Sequence, residues 1–168
     1  MSTEEFLTQV LLFLGGSVKK EERTLGSSPH LYSDYSGYFV KLDFITPGEL
    51  RIDIISRPPH RLRIRKENYV SRTLGNIGVV CDRKTGDSAF DNKYLVDNAS
   101  SEWASKALSD QVRHLLIGME PFEFFELTGK HYRCLKMVNL SNYSPGEAAE
   151  NVNTMIKIVE LIKLAGSK

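Results

Sequence analysis

The chain is predicted to be an α+β domain: a mainly antiparallel sheet of six to seven strands with helices packed on one face, in the order α-β-β-β-β-β-α-β-β-α. Three observations predict it. Apolar residues recur at every second position through residues 38–54 and again through 122–138, the period of a strand. They recur at helical spacing through 101–117 and 144–162. No strand-helix-strand run at the spacing of parallel crossovers is present, so hairpins with helices segregated to one side are the natural assembly. With 168 residues, of which 41% are hydrophobic and 26% charged, one domain can bury its core without disulfides or metal. Its expected division is 1–36, an N-terminal helix and polar connector, and 37–168, the sheet and its packing helices.

The first helix is amphipathic. Ser2 or Thr3 caps it, Glu4 and Glu5 occupy the first turn where the helix dipole favours acids, and Gly15-Gly16 ends it. Its apolar stretch, Phe6 to Leu14, is far shorter than the roughly 20 residues a bilayer requires. It lacks the basic flank of a signal peptide and the cations of a membrane-surface helix. Residues 15–36, rich in Gly and Ser, read as a connector or flap. Tyr32 and Tyr35 within it suit a partner surface or a lid, with packing onto the sheet as the alternative.

Tyr38, Val40, Leu42 and Phe44 share one face of the next strand, with Lys41 and Asp43 on the other. After Thr46-Pro47-Gly48, Leu50, Ile52 and Ile54 alternate with Arg51 and Asp53. A three-residue loop with Gly48 left-handed pairs Asp43 with Arg51, Lys41 with Asp53, Val40 with Ile54 and Leu42 with Ile52. A two-residue Pro-Gly turn would set Asp43 against Ile52 and mix the faces. Pro58-Pro59 then breaks the sheet. Strands at Ile77–Cys81 and Ala89–Val96 flank a Lys84–Asp87 turn. A helix over Ser101–Ile117 carries Ala104, Leu108, Val112, Leu115 and Met119 on one stripe, with Gly118 stopping it. Strands Phe122–Thr128 and His131–Val138 meet at a Gly129-Lys130 turn, which pairs Glu126 with Arg133 and Glu123 with Lys136. The last helix opens on the capping box Ser144-Pro145-Gly146-Glu147 and runs through Ala148, Val152, Met155, Ile156, Val159 and Ile162.

One segment stands out in charge. Residues Arg57 to Arg72 carry six cations against the single acid Glu67, a local charge of +5 in a chain of +1. Within it Arg61, Arg63 and Arg65 alternate with Leu62 and Ile64, predicting a strand with an arginine face and an apolar face. Guanidinium forks suit carboxylate and phosphate. The candidate binding face for an acidic protein or anionic ligand is therefore Arg57, His60, Arg61, Arg63, Arg65, Lys66, Tyr69 and Arg72. The plain alternative is a solvated strand, or an edge strand guarded by its cations. Near-neutral net charge and a single ring, Tyr69, argue against nucleic acid.

No catalytic constellation is legible. Cys81 and Cys134 have no metal-ligand spacing and read as reduced thiols of a cytoplasmic protein. The histidines His30, His60, His114 and His131 are scattered. Asp82, Asp87 and Asp91 bracket one turn, but match no calcium loop, and Asp in turns bonds its own backbone. No nucleotide, hydrolase or zinc-protease motif is present, so neither cofactor nor metal is expected.

At Thr85-Gly86-Asp87-x-x-Phe90-Asp91-x-x-Tyr94-x-Val96 the chain resembles a group of bacterial proteins of unknown function. They share a T-G-D-x-x-F-D-x-x-[FY]-x-V pattern followed by an Ala-rich helix, a hairpin and a closing helix. The resemblance spans roughly residues 75–165 and leaves the basic strand outside it. Members often carry transmembrane segments that this chain lacks, so membrane tethering does not carry over. The resemblance implies a fold and no activity. The expected function is a non-enzymatic binding or adaptor domain acting through the basic strand. The alternatives are a small-molecule pocket or enzyme between the sheet and the last helix, or a homodimer made through an exposed strand or the first helix.

Overall fold

The computed structural model describes residues 1–15, 17–20, 30–46, 48–66, 83–97 and 99–167. In chain order the elements are α1 (Thr3–Leu14), β1 (Ser17–Lys20), β2 (His30–Tyr35), β3 (Tyr38–Thr46), β4 (Glu49–Ile55) and β5 (Leu62–Lys66). There follow α2 (Ser88–Asp91), β6 (Tyr94–Asp97), α3 (Ser101–Ala107), α4 (Asp110–Gly118), β7 (Phe124–Thr128), β8 (His131–Met137) and α5 (Pro145–Gly166). The described strands form one sheet in the order β1-β2-β3-β4-β8-β7-β5-β6. Every neighbouring pair is antiparallel. The α+β class is as the sequence predicts.

The core lies between one sheet face and the helices α1, α3, α4 and α5. Val40, Leu42, Phe44, Leu50, Ile52 and Ile54 are all buried there, with Leu62 and Ile64 from β5 and Phe125 and Leu127 from β7. α1 packs its apolar face into this core. Ser2 and Glu5 form a capping box, Gly15 closes the helix at φ +67°, and Phe6, Leu7, Val10 and Leu11 are fully buried. The Phe6 ring packs edge-on to Phe44 at 5.7 Å and stacks with Tyr143 at 5.9 Å.

The described parts of the expected connector are instead mostly sheet. β1 and β2 occupy it, and β2 joins β3 through Ser36-Gly37, at φ +51° and +77°. Two consecutive positive φ values are the signature of the type I′ hairpin, whose twist matches that of the strands it joins. Leu31, Ser33 and Tyr35 face the helices opposite Leu42, Val40 and Tyr38. A buried Ser33 in the middle of that row broke the alternation and concealed the strand.

The β3–β4 register pairs Asp43 with Arg51, Lys41 with Asp53, Leu42 with Ile52 and Val40 with Ile54, as the charges required. The means differs. Gly48 is not left-handed; a bulge at Ile45 shifts the register between Phe44 and Thr46 and turns the extra residue outward.

The β5 strand lies between β6 and β7, which removes the edge-strand reading. The strand expected at Ile77–Cys81 falls outside the described residues. That expected at Ala89–Val96 begins instead as the short helix α2, because Asp87 accepts hydrogen bonds from the N–H groups of Ala89 and Phe90. The single helix expected over Ser101–Ile117 is two. Ser109 caps a new start by accepting from the Val112 N–H, while Ala104, Leu108, Val112 and Met119 stay buried in one stripe. β7 starts at Phe124 rather than Phe122, and Gly129 (φ +52°) opens its hairpin to β8, pairing Glu126 with Arg133. Glu123 stays exposed, and Lys136 turns under the helices to donate to the Met119 carbonyl, so the expected Glu123–Lys136 pair does not form. α5 carries the expected capping box.

Candidate functional site

The sheet face opposite the helices is built of charges. Register places Lys41, Asp53, Arg133, Glu126, Arg63 and Asp97 side by side on β3, β4, β8, β7, β5 and β6, with alternating sign. Arg133 grips Asp53 with both ends of its fork, at 2.7 and 3.0 Å, and reaches Glu126 at 3.5 Å. Arg63 lies 3.9 Å from Glu126 and 5.1 Å from the Phe124 ring centroid. Arg65 lies 3.4 Å from Asp97.

A second cluster flanks this row. Asp43 takes both fork nitrogens of Arg51, with His30 Nδ1 at 2.6 Å and Lys41 Nζ at 3.5 Å. Burial alone would raise the Asp43 carboxyl, but the Arg51 hydrogen bonds and the charges of Arg51, Lys41 and His30 hold it below the usual 3.8. On Arg133 the bonds to Asp53 outweigh burial and strengthen its basicity.

The basic run thus divides. Arg63 and Arg65 belong to the charge row, part-shielded and matched by acids. Arg57, His60 and Arg61 lie before β5, at the end of the sheet, and are exposed. His60 rests on Trp103, ring centroids 4.8 Å apart. Among the described residues Arg57 and Arg61 form no ion pair. The chain topology brings them a companion that the local sequence does not signal: the Ser56 N–H donates to the Lys130 carbonyl at 3.0 Å, setting the β7–β8 turn and its exposed Lys130 beside Arg57. Leu62 pairs with Leu127, so Arg61 continues along the same turn. Lys66, at the far end of β5, borders a cleft of about 380 Å³ with Lys93, Tyr94 and Glu120. Tyr69 and Arg72 lie outside the described residues.

Tyr32 and Tyr35 fall on opposite faces of β2 and do not form one surface. Tyr32 packs on Phe39 at 5.2 Å with Lys41 Nζ 5.5 Å from its ring centroid; Tyr35 packs against the core. The turn acids serve the backbone. Asp91 accepts from the Thr85 N–H, the Thr85 hydroxyl and the Gly86 N–H, and Asp87 also receives Arg113 at 3.1 Å. Asp82 lies outside the described residues. The histidines stay apart: His30 sits on Asp43, His60 on Trp103, His114 on α4 and His131 at the start of β8. Among the described residues no three metal-ligating side chains gather. Cys134 is buried and its thiol pushed up to about 12 by that burial, which removes it as a nucleophile; Cys81 lies outside the described residues. Among the described residues no helix is long and apolar enough to cross a membrane.

No family model matches the chain, and no curated protein matches it. Among solved structures it is similar to the crystal structure of the mycobacterial trehalose monomycolate transport factor A, TtfA, with a TM-score of 0.62 and 11% identity over 95% of each chain. At that identity what the two share is a fold.

Proposed function

We propose that this protein is a non-enzymatic, cytoplasmic binding module that docks an acidic partner or anionic ligand on the sheet end formed by Arg57, Arg61 and Lys130. The observation that carries the reading is the division of the basic run. Its inner arginines are committed to acids within the sheet, whereas Arg57 and Arg61 are exposed, unpaired among the described residues and joined by a third cation from a distant turn. Three cations on adjacent loops, with His60 fixed against Trp103, form a compact positive patch on a chain whose total charge is only +1. Such a patch steers acidic partners without making the whole surface adhesive. A fold shared with a transport factor supports an accessory rather than a catalytic role.

The test is charge reversal. Arg57→Glu, Arg61→Glu and Lys130→Glu together are expected to abolish retention on heparin and phosphocellulose, while moving Tm by no more than about 2 °C, since exposed positions away from packing seldom matter to stability. Arg63→Glu, by contrast, places a carboxylate between Glu126 and Asp97 and is expected to lower Tm. Retention unchanged in the triple variant, or absent in the wild type, would overturn the assignment.

A further inference from the structure

At the opposite end of β8 from Lys130, on the helix side, a cleft of about 410 Å³ opens between α4, the Glu120-Pro121 turn and the first turns of α5. Lys136 and Tyr143 line it, as do Glu120, Glu147 and Glu150. Lys136 is the deepest of the charged groups, 2% exposed, whereas the three glutamates are exposed.

Lys136 is chemically unusual. Its Nζ donates to the Met119 carbonyl and lies 6.0 Å from the Tyr143 ring centroid, yet among the described residues it forms no ion pair. An ammonium has three N–H donors and no way to turn one off while charged. Among the described residues a single protein acceptor, the Met119 carbonyl, takes one of the three. Burial holds the group below its usual basicity, while the nearby Glu147 favours the charged form. A buried cation with no ion-pair partner in contact is costly, and an oxygen anion delivered from the cleft would relieve the cost.

The mouth has the opposite sign. Glu147 is occupied in the Ser144 cap, and Glu120 holds the Tyr94 hydroxyl and Lys93. Glu150 is exposed and, among the described residues, its carboxylate has no partner. A plain anion would have to pass three carboxylates to reach Lys136. A plain cation would meet Lys136 at the bottom. A molecule with both charges satisfies both ends.

We propose that this cleft binds a small zwitterion of the amino-acid class, its carboxylate on Lys136 and its ammonium against Glu150. Tyr143, whose hydroxyl accepts from Asn151 Nδ2 at 2.6 Å, supplies a fixed aromatic wall for the part between the charges. The site is separate from the Arg57–Arg61–Lys130 patch, so each stands or falls alone.

The test uses the twenty amino acids with β-alanine and 4-aminobutyrate, and acetate and methylammonium as half-ligand controls. At least one zwitterion is expected to raise Tm by about 3–6 °C at roughly ten times its dissociation constant, with acetate and methylammonium, singly or mixed, leaving it in place. Calorimetry should then show affinity falling at least about tenfold in both Lys136→Met and Glu150→Gln. Should the buried substitution prevent folding, the exposed Glu150→Gln carries the comparison alone. A flat response across the panel overturns the proposal. So does acetate acting as strongly as any zwitterion, or an amino acid that binds Glu150→Gln as well as wild type.

Discussion

Asp43 and Asp53 are each 1% exposed, a setting in which a lone carboxylate would take up a proton. A fork of two N–H groups faces each, Arg51 at Asp43 and Arg133 at Asp53, and at Asp43 the fork helps to hold the carboxyl below its usual value. Removing the acid therefore does more than delete an attraction, because it strands a partly shielded guanidinium. Asp53→Ala is expected to cost about 3 kcal/mol by urea unfolding, against less than about 0.5 for the exposed Arg61→Ala. Asp43 adds a pH dependence of definite sign. Its carboxyl is lowered in the folded state, so its stabilisation is complete above the unfolded value near 3.8 and is lost as pH falls below it. Asp43→Asn should accordingly flatten the acid limb of the urea midpoint against pH. The pairs Asp43–Arg51 and Asp53–Lys41 could be read from the sequence, since opposite charges select one hairpin register over its neighbours. His30 on Asp43 could not, because its strand was concealed.

At the level of elements, capping chemistry was the most legible layer. Ser2, Gly15, Ser144 and Glu147 sit where local hydrogen bonding alone would put them, and such bonds need no distant partner. The misreadings have local causes too. Ser109 and Asp110 could continue a helix or restart one, and the Ser109 hydroxyl, accepting from the Val112 N–H, makes it a restart. Asp87 could close a hairpin or cap α2, and two backbone N–H groups make it a cap. The β2–β3 turn offers a clean measurement. Ser36 holds φ +51°, a conformation that asparagine or glycine adopts more readily than serine. Ser36→Asn is expected to raise stability by roughly 0.5 kcal/mol, visible as a higher urea midpoint with unchanged slope. A fall would mean that the serine hydroxyl does something in the turn beyond tolerating it.

Over the whole molecule, strand order was the least legible property. Sequence-adjacent strands usually pair, but β4 and β5 do not: the hairpin β7–β8 lies between them. That insertion is what gathers Lys130 beside Arg57 and puts Arg63 next to Glu126, so neither the exposed patch nor the charge row could be assembled from local pattern. The order of the strands also has a consequence during synthesis. A nascent chain that has delivered everything through β6 lacks the hairpin that joins the described strands β1–β4 to β5 and β6, so any sheet those strands form by themselves leaves β4 and β5 each with an unpaired row of backbone groups. The hairpin that bridges them emerges only with residues 124–137, and the helix that seals the core only after that. Until the ribosome releases those last segments, both edges are open to chaperones and to neighbouring copies of the same unfinished chain.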